Sequence, residues 1–212
     1  MQIPTEQEIR QTLNERHGEA LQKQFSGASV AICGLGGLGS HIATALARAG
    51  VGHLHLIDFD RVELSNLHRQ QYTISQLGLE KTAALQDTLL SIHPYLQITT
   101  DSVRVTPENL PSLLAGDTII CEAFDRAEEK AMLVNGVLET FPEKYLVSAS
   151  GMAGLFSGND IHTRRVATHF YLCGDEQHDT AEGLGLVAPR VMLCAAQQAL
   201  LVLRLLAGET EP

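Results

Sequence analysis

Residues 28–40 of the sequence read ASVAICGLGGLGS, an apolar run followed directly by closely spaced glycines. The apolar part, which ends at Cys33, predicts a short buried strand. The glycines have G-x-G-x-x-G spacing and lead into a predicted helix rich in small residues. Glycines let the backbone approach a phosphate, and a helix N-terminus offers it free N–H groups. The segment therefore predicts a nucleotide-binding loop that includes Gly34, Gly36 and Gly37. The alternative is a glycine-rich turn without a ligand.

A carboxylate follows at the end of the next predicted strand. Residues 53–58 (HLHLID) alternate between polar and apolar and end in Asp58. The distance in sequence from the glycines to Asp58 suits a carboxylate that binds a ribose hydroxyl. The glycines and this carboxylate alone do not distinguish NAD from ATP.

Strand and helix patterns alternate along most of the chain, which predicts an α/β fold. The expected architecture is a Rossmann-like, doubly wound and mostly parallel sheet with helices on both faces. Besides the two strands above, strands are predicted at 96–100, 117–121 and 145–149. Helices are predicted at 38–49, 80–92, 107–115 and 127–139.

The two ends of the chain do not continue this alternation of strand and helix patterns. Residues 5–24 predict one polar amphipathic helix. After Gly151, short runs at 154–157 and 160–163 predict a small hairpin, a polar loop covers 174–186, and an apolar helix is expected at 188–207. We interpret the whole chain, 1–212, as one domain. It has an N-terminal helix (1–27), a nucleotide-binding core (28–150) and a C-terminal elaboration (151–212).

Composition excludes several classes of protein. The formal net charge of -10 argues against a broad nucleic-acid surface. The N-terminal residues have no apolar signal segment, and the most apolar stretch, 187–206, contains Pro189 and Arg190 and is interpreted as a buried helix, so no membrane association is predicted. The four cysteines form no C-x-x-C pair, so neither a structural zinc nor a redox pair is expected. A cytoplasmic protein with free thiols is predicted.

Residues 58–70, DFDRVELSNLHRQ, favour ATP over NAD. They place Asn66 and Arg69 just past the second strand. An enzyme that uses ATP needs a cation beside the phosphates, and an amide can hold a base, a sugar or a neighbouring loop. A dehydrogenase has no evident need for this cluster.

At these residues the sequence resembles the ThiF/MoeB/HesA family, relatives of the ubiquitin-activating enzymes. The matching stretches are GLGGLGS at 34–40, AGVGHLHLIDFDRVELSNLHRQ at 49–70 and GLEK at 78–81. A weaker likeness continues through Asp125 to VAPRV at 187–191. The short length and the EAFD ending at Asp125 are most similar to a compact ThiF-like branch associated with thiamine biosynthesis.

The resemblance implies a role for each matching residue. Arg69, Lys81 and Asp125 would be catalytic, with Asp125 holding Mg²⁺ beside the phosphates. An arginine near the N-terminus would reach across a homodimer to the phosphates, and Arg16 is favoured over Arg10. The implied nucleotide-binding residues are Gly34, Gly36, Gly37, Asp58, Asp60, Ser65, Asn66, Arg69 and Lys81. Asp60 is interpreted either as a support for Mg²⁺ or merely as the cap of a turn.

The implied reaction is ATP-dependent adenylation of a C-terminal glycine carboxylate. The acceptor would be a ubiquitin-like sulfur-carrier protein ending in Gly-Gly, used for the thiazole of thiamine, and pyrophosphate would be released. One alternative is another carrier, such as the small subunit of molybdopterin synthase. The others are a nicotinamide-dependent oxidoreductase, a non-catalytic scaffold, and a small-molecule or RNA acceptor.

The sequence also departs from the family pattern. Arg126 follows the metal-binding Asp125, where much of the family has Asn. Residues 179–182 contain no thiol where longer relatives have a cysteine, so a covalent intermediate is not expected there, and Cys173 is the sole thiol nearby. Arg190 is interpreted either as a contact for the carrier tail or as part of a structural ion pair.

Other residues are expected to be structural. Cys33, Cys121 and Cys194 are predicted to be core residues. Glu128, Glu129 and Lys130 are predicted to form a solvated helix face.

Overall fold

A seven-stranded sheet forms the centre of the computed structural model, which describes residues 3–180 and 183–212. The strand order is β3-β2-β1-β4-β5-β7-β6, and every neighbouring pair is parallel except β6 and β7. This confirms the predicted mostly parallel sheet. The strands are β1 (Ser29–Cys33), β2 (His53–Ile57), β3 (Gln97–Asp101), β4 (Ile119–Glu122), β5 (Tyr145–Ala149), β6 (His162–Ala167) and β7 (Phe170–Gly174).

Helices cover both faces of the sheet, as a doubly wound fold requires. One apolar core joins the sheet to α3, α4 and α7. A second core joins the opposite face to α5 and α6. The helices are α1 (Glu6–His17), α2 (Glu19–Ser26), α3 (Gly37–Ala49), α4 (Lys81–Ile92), α5 (Leu110–Leu113), α6 (Ala127–Thr140) and α7 (Ala188–Leu206).

The strand order reverses at β1, which lies between β2 and β4. The chain leaves β1 toward one face and β4 toward the other, so a crevice opens at their carboxyl ends. Two backbone hydrogen bonds fix its floor: Gly34 N–H donates to the Ile57 carbonyl and Ala123 N–H to the Cys33 carbonyl, both at 2.8 Å.

The single N-terminal helix predicted at 5–24 is two helices. Gly18 separates α1 from α2 with φ of +88°, a backbone conformation that favours glycine. Thr5 and Glu8 form a capping box that starts α1. The break turns α2 so that Gln22 and Phe25 are buried, whereas no residue of α1 is buried.

Two further predictions of local structure are wrong. The hairpin lies at 162–174, not at 154–163, because β7 completes the sheet by pairing with β5 and buries Tyr171. The helix predicted at 107–115 shrinks to the single turn of α5. Pro107 lies in a turn before the helix, and in this turn Asn109 Oδ1 accepts the Thr106 N–H at 2.8 Å.

Helix α7 is the one helix among the described residues that is long and apolar enough to cross a membrane, by length and composition alone. Half of that window is buried inside the molecule. Its buried face, which includes Val191, Cys194 and Val202, belongs to the core shared with α3. This packing supports its interpretation as a core helix.

Candidate active site

The carboxyl ends of β1, β2, β4 and β5 open onto one cleft of about 870 Å³. Gly34, Asp58, Asp125 and Ser150 follow these strands and line it. Its position is where open α/β sheets bind ligands, and its volume suits a nucleotide with room for a second group.

The glycine loop passes under the start of α3 with almost no free space. A Cβ at Gly39 would lie 1.8 Å from the Gly34 carbonyl oxygen, and one at Gly34 would lie 2.8 Å from the Ala123 carbonyl oxygen. Gly34, Gly36 and Gly37 all line the cleft, and no side chain caps the N-terminus of α3. The free N–H groups of that helix are therefore available to an anion in the cleft. The role of Gly39 in packing was not predicted, although the motif contains it.

Asp58 and Lys81 form a buried charged pair at the cleft. Asp58 accepts the N–H groups of Leu35 at 2.7 Å and Asp60 at 2.8 Å. Lys81 Nζ lies 2.8 Å from Asp60 Oδ2 and 3.7 Å from Asp58 Oδ2. Burial raises the pKa of Asp58 despite the nearby ammonium. Lys81 is thus held in place by two carboxylates, and Asp60 serves here as its partner.

Asn66 and Arg69 line the cleft, whereas Ser65 does not belong to its lining among the described residues. Asn66 Oδ1 accepts the Glu63 N–H at 3.0 Å and so shapes the short helical turn that carries it. The Ser65 carbonyl accepts from Arg69 Nη1 at 3.2 Å. Ser65 therefore supports Arg69 in this structure, and its contribution to nucleotide binding stays a prediction.

Asp125 and Arg126 lie between β4 and α6, are exposed and line the cleft. Among the described residues, no group of three His, Cys, Asp or Glu side chains could hold a metal ion. An exposed carboxylate beside a phosphate site nevertheless fits Mg²⁺, which keeps waters and takes only one or two carboxylates together with phosphate oxygens. Asp125 would hold it.

An ion pair between the buried Glu122 and the partly buried Lys130 was not predicted. The fully buried Glu122 accepts from Lys130 Nζ at 2.9 and 3.1 Å, from the Ser148 hydroxyl, and from Phe124 N–H at 2.7 Å. Lys130 also donates to the Ala149 carbonyl. The solvated face predicted for Glu128, Glu129 and Lys130 is therefore wrong for Lys130. Glu128 is exposed, and Glu129 pairs with Arg104 at 2.7 Å. The sequence signal that could have predicted this ion pair is a carboxylate, Glu122, inside the apolar run IICEAF at 119–124.

Just after β7, Asp175 binds Arg190 and His178. Arg190 Nη2 donates to Asp175 Oδ2, and both side chains are buried. The structure thus decides between the two interpretations of Arg190 in favour of the structural ion pair. His178 lines the cleft. Ala181 and Glu182, in the segment predicted to lack a thiol, lie outside the described residues.

All four cysteines are buried, which confirms the core positions predicted for Cys33, Cys121 and Cys194. Burial raises the pKa of the Cys173 thiol to about 11. Because the thiolate is the nucleophile, Cys173 is not placed to form a covalent intermediate.

Arg10 and Arg16 lie on exposed positions of α1 and are not part of the cleft lining of their own chain. The structure therefore does not bring either guanidinium into the cleft lining of its own chain.

The comparisons with known proteins agree with this geometry. A family model described as the ThiF family matches residues 9–212. The molybdopterin-synthase adenylyltransferase of Salmonella typhimurium is 31% identical over 196 residues, which cover 90% of this chain and 78% of that protein. The sulfur carrier protein adenylyltransferase of Thermus thermophilus is 34% identical over 140 residues, 66% of this chain and 46% of that protein.

Other relatives are much longer: the chain spans 32% of the mosquito proteins named adenylyltransferase and sulfurtransferase MOCS3. Among solved structures, the Escherichia coli tRNA N6-threonylcarbamoyladenosine dehydratase TcdA in complex with ATP has a TM-score of 0.87 and 20% identity, with 98% of both chains covered. At 20% identity this similarity shows only that the two proteins share the α/β fold described above.

Proposed function

This chain belongs to the ThiF family, and on that premise we propose that it transfers AMP from ATP to the C-terminal carboxylate of a small ubiquitin-like sulfur-carrier protein. The observation that carries the proposal is the set of positively charged groups and N–H donors that line the cleft together with a carboxylate. The uncapped N-terminus of α3, the buried Lys81, Arg69 and the exposed Asp125 all line this one cleft.

In this reaction the protein mainly has to position the two substrates and stabilise negative charge. A carboxylate is ionised at neutral pH and attacks the α-phosphorus without a base. The glycine loop would hold the phosphates, and Asp58 would hold the ribose. Lys81 and Arg69 would stabilise the charge that develops on the departing pyrophosphate. Mg²⁺, held by Asp125, would offset phosphate charge when bound.

The cleft is also large enough for the acceptor. Beyond the nucleotide loop its wall continues along Ser150, Met152 and Leu172 to Leu186. We propose that this stretch takes the extended C-terminus of the carrier. The two relatives named for a carrier or for molybdopterin synthase support a carrier partner. We propose more specifically that the carrier serves thiamine biosynthesis. The alternative is a carrier that serves molybdopterin synthesis.

We also propose a cytoplasmic homodimer in which Arg16 of one copy enters the cleft of the other. The support is the exposed position of Arg16 outside its own cleft.

The first test is intact mass spectrometry of candidate carriers ending in Gly-Gly after incubation with the protein and Mg-ATP. We expect one carrier to gain the mass of AMP. Asp125→Ala should abolish the adduct, whereas Asp87→Ala, an exposed carboxylate on α4, should not. ATP binding without any carrier adduct would contradict the proposal.

An RNA acceptor is included in the same experiment because the chain and TcdA match over 98% of both lengths. An adduct on tRNA and none on a carrier would replace the proposed acceptor. The net charge of -10 argues against this outcome. Preference for NAD over ATP in a binding assay would favour the oxidoreductase instead.

A further inference from the structure

His178 is the one histidine among the described residues that line the cleft. Its Nδ1 lies 2.7 Å from Asp175 Oδ2, and its ring stacks on Phe156 with centroids 3.6 Å apart. Its carbonyl oxygen accepts the N–H groups of Met152 and Ala153, both at 3.1 Å. The first two contacts hold the imidazole ring in one orientation, and the two backbone hydrogen bonds fix the segment that carries it.

Asp175 sets the tautomer of His178. Its Oδ1 accepts the N–H groups of Gln177 at 2.9 Å and His178 at 3.0 Å, and its Oδ2 accepts from Arg190. Although burial opposes ionisation, these partners lower the pKa of Asp175 to about 2. The carboxylate can therefore only accept, so neutral His178 carries its proton on Nδ1 and leaves Nε2 with a free electron pair.

The chain supplies no thiol to the cleft. All four cysteines fall within the described residues, all are buried, and none belongs to the cleft lining. An acyl-adenylate formed in the cleft must therefore pass its acyl group to a nucleophile from outside the chain. A thiol nucleophile must lose a proton as it attacks, and that proton needs an acceptor.

We infer that His178 is the general base of a second half-reaction, in which an external thiol attacks the acyl-adenylate. This inference rests on the proposed function. The thiol sulfur forms a bond to the acyl carbon, and the bond from that carbon to the AMP oxygen breaks, with its electron pair leaving on AMP. The thiol proton passes to Nε2 of His178 and then to solvent. The products are a thioester and AMP, and no oxidant or reductant is consumed.

The surroundings favour an imidazole and a thiol. An imidazole in water has a pKa closer to that of a thiol than a carboxylate has, so imidazole is in general the better base for a thiol. Met152, Leu172 and Leu186 provide an apolar wall that accepts a neutral thiol more easily than an ammonium group.

The test compares two rates in the same protein. ATP–pyrophosphate exchange measures adenylation of the carrier identified by its AMP adduct. Thioester formation from that adduct with 2-mercaptoethanol measures discharge. His178→Asn keeps an amide that can donate to Asp175 but removes the base. We expect the ratio of discharge to exchange to fall about 100-fold. His162→Asn, an exposed histidine on β6 bonded to a backbone carbonyl, should leave the ratio unchanged.

A second variant keeps the inference testable if Asn distorts the loop. His178→Ala should regain part of its discharge rate when imidazole is added. An unchanged ratio in His178→Asn overturns the inference. So does a parallel loss of both rates in both variants without rescue, because that result assigns the histidine a structural role. Absence of exchange in the unmodified protein would instead overturn the proposed function, so the two failures are distinguishable.

Discussion

At the scale of single residues, the Glu122–Lys130 pair links the turn after β4 to the rest of the fold. Glu122 is fully buried, and it is bonded to α6 through Lys130, to β5 through Ser148, and to its own turn through Phe124. The same turn carries Asp125. The pair therefore connects the stability of the fold with the position of the carboxylate in the cleft.

Lys130→Met should destabilise the protein by about 3 kcal/mol, because it leaves the Glu122 charge buried without its ammonium. Chemical denaturation measures this change in the free energy of unfolding. The double variant Glu122→Met with Lys130→Met should recover most of the loss, since no charge is then left unpaired. A loss below about 1 kcal/mol in the single variant would show that the pair is not a significant electrostatic contact.

His55 provides a pH-dependent contribution at the same scale. Its two ring nitrogens lie 2.8 Å from Asp101 and 2.9 Å from Asp117, and it is buried beside His53 and Thr99. Burial lowers the pKa of His55, but the hydrogen bonds and charges of Asp117 and Asp101 outweigh it and raise the pKa above 6.5.

A raised histidine pKa stabilises the fold below the unfolded pKa of 6.5, and this contribution is lost as the pH rises through the folded pKa. The stability difference between the unmodified protein and His55→Asn should therefore shrink as the pH rises from below 6.5 to above the folded pKa. Unfolding curves at several pH values measure the difference, and an NMR titration locates the folded pKa. A difference that grows with pH would contradict the prediction.

At the scale of elements, the approach of the glycine loop to α3 decides how close a phosphate can come to the helix. The Cβ position of Gly39 collides with backbone at 1.8 Å, and backbone cannot move aside as a side chain can. The atom nearest to a Cβ at Gly37 is a Val191 methyl carbon at 2.9 Å, and this side chain can move aside more easily than backbone can. Gly39 therefore holds the loop and helix together.

Gly39→Ala should cost about 1–3 kcal/mol and weaken ATP binding, because the added methyl pushes α3 away from the loop. Thermal unfolding and ATP titration by calorimetry measure the two effects. Gly116→Ala is the matched control, since its φ lies outside the left-handed region and no atom lies within 4 Å of its Cβ position. Equal behaviour of the two variants would show that the loop adapts to the methyl group.

At the scale of the whole molecule, the proposed homodimer makes each cleft depend on two chains. Lys81 lies in the cleft of its own chain, whereas Arg16 would act in the cleft of its partner. Variants at these two positions should then complement each other, because a mixed dimer contains one cleft with both residues intact.

Arg16→Ala and Lys81→Ala should each be nearly inactive in carrier adenylation. After the two are unfolded and refolded together, random pairing should restore about a quarter of the unmodified activity. Refolding each variant alone is the control. No recovery, with mixed dimers demonstrated by mass spectrometry under native conditions, would contradict a role of Arg16 in the partner's cleft.

Much of the fold was predictable from the sequence, because it depends on short-range patterns. Short apolar or alternating runs, the glycine spacing and the alternation with helices were enough to predict the strands β1 to β5 and the helices α3, α4 and α6 between them. The cleft positions of Gly34, Asp58 and Asp125 were predictable because each comes just after a strand, and those of Asn66, Arg69 and Lys81 were expected from the resemblance to the family.

What only the tertiary structure decided depends on contacts between distant segments. The hairpin β6–β7 takes its position from pairing with β5, and Lys130 is drawn inward by Glu122, which lies on a different element. Asp175, His178 and Arg190 meet because β7 and the start of α7 lie side by side. Local patterns determine which residues form strands and helices, but the partner of a buried charge is determined by which elements the sheet brings together.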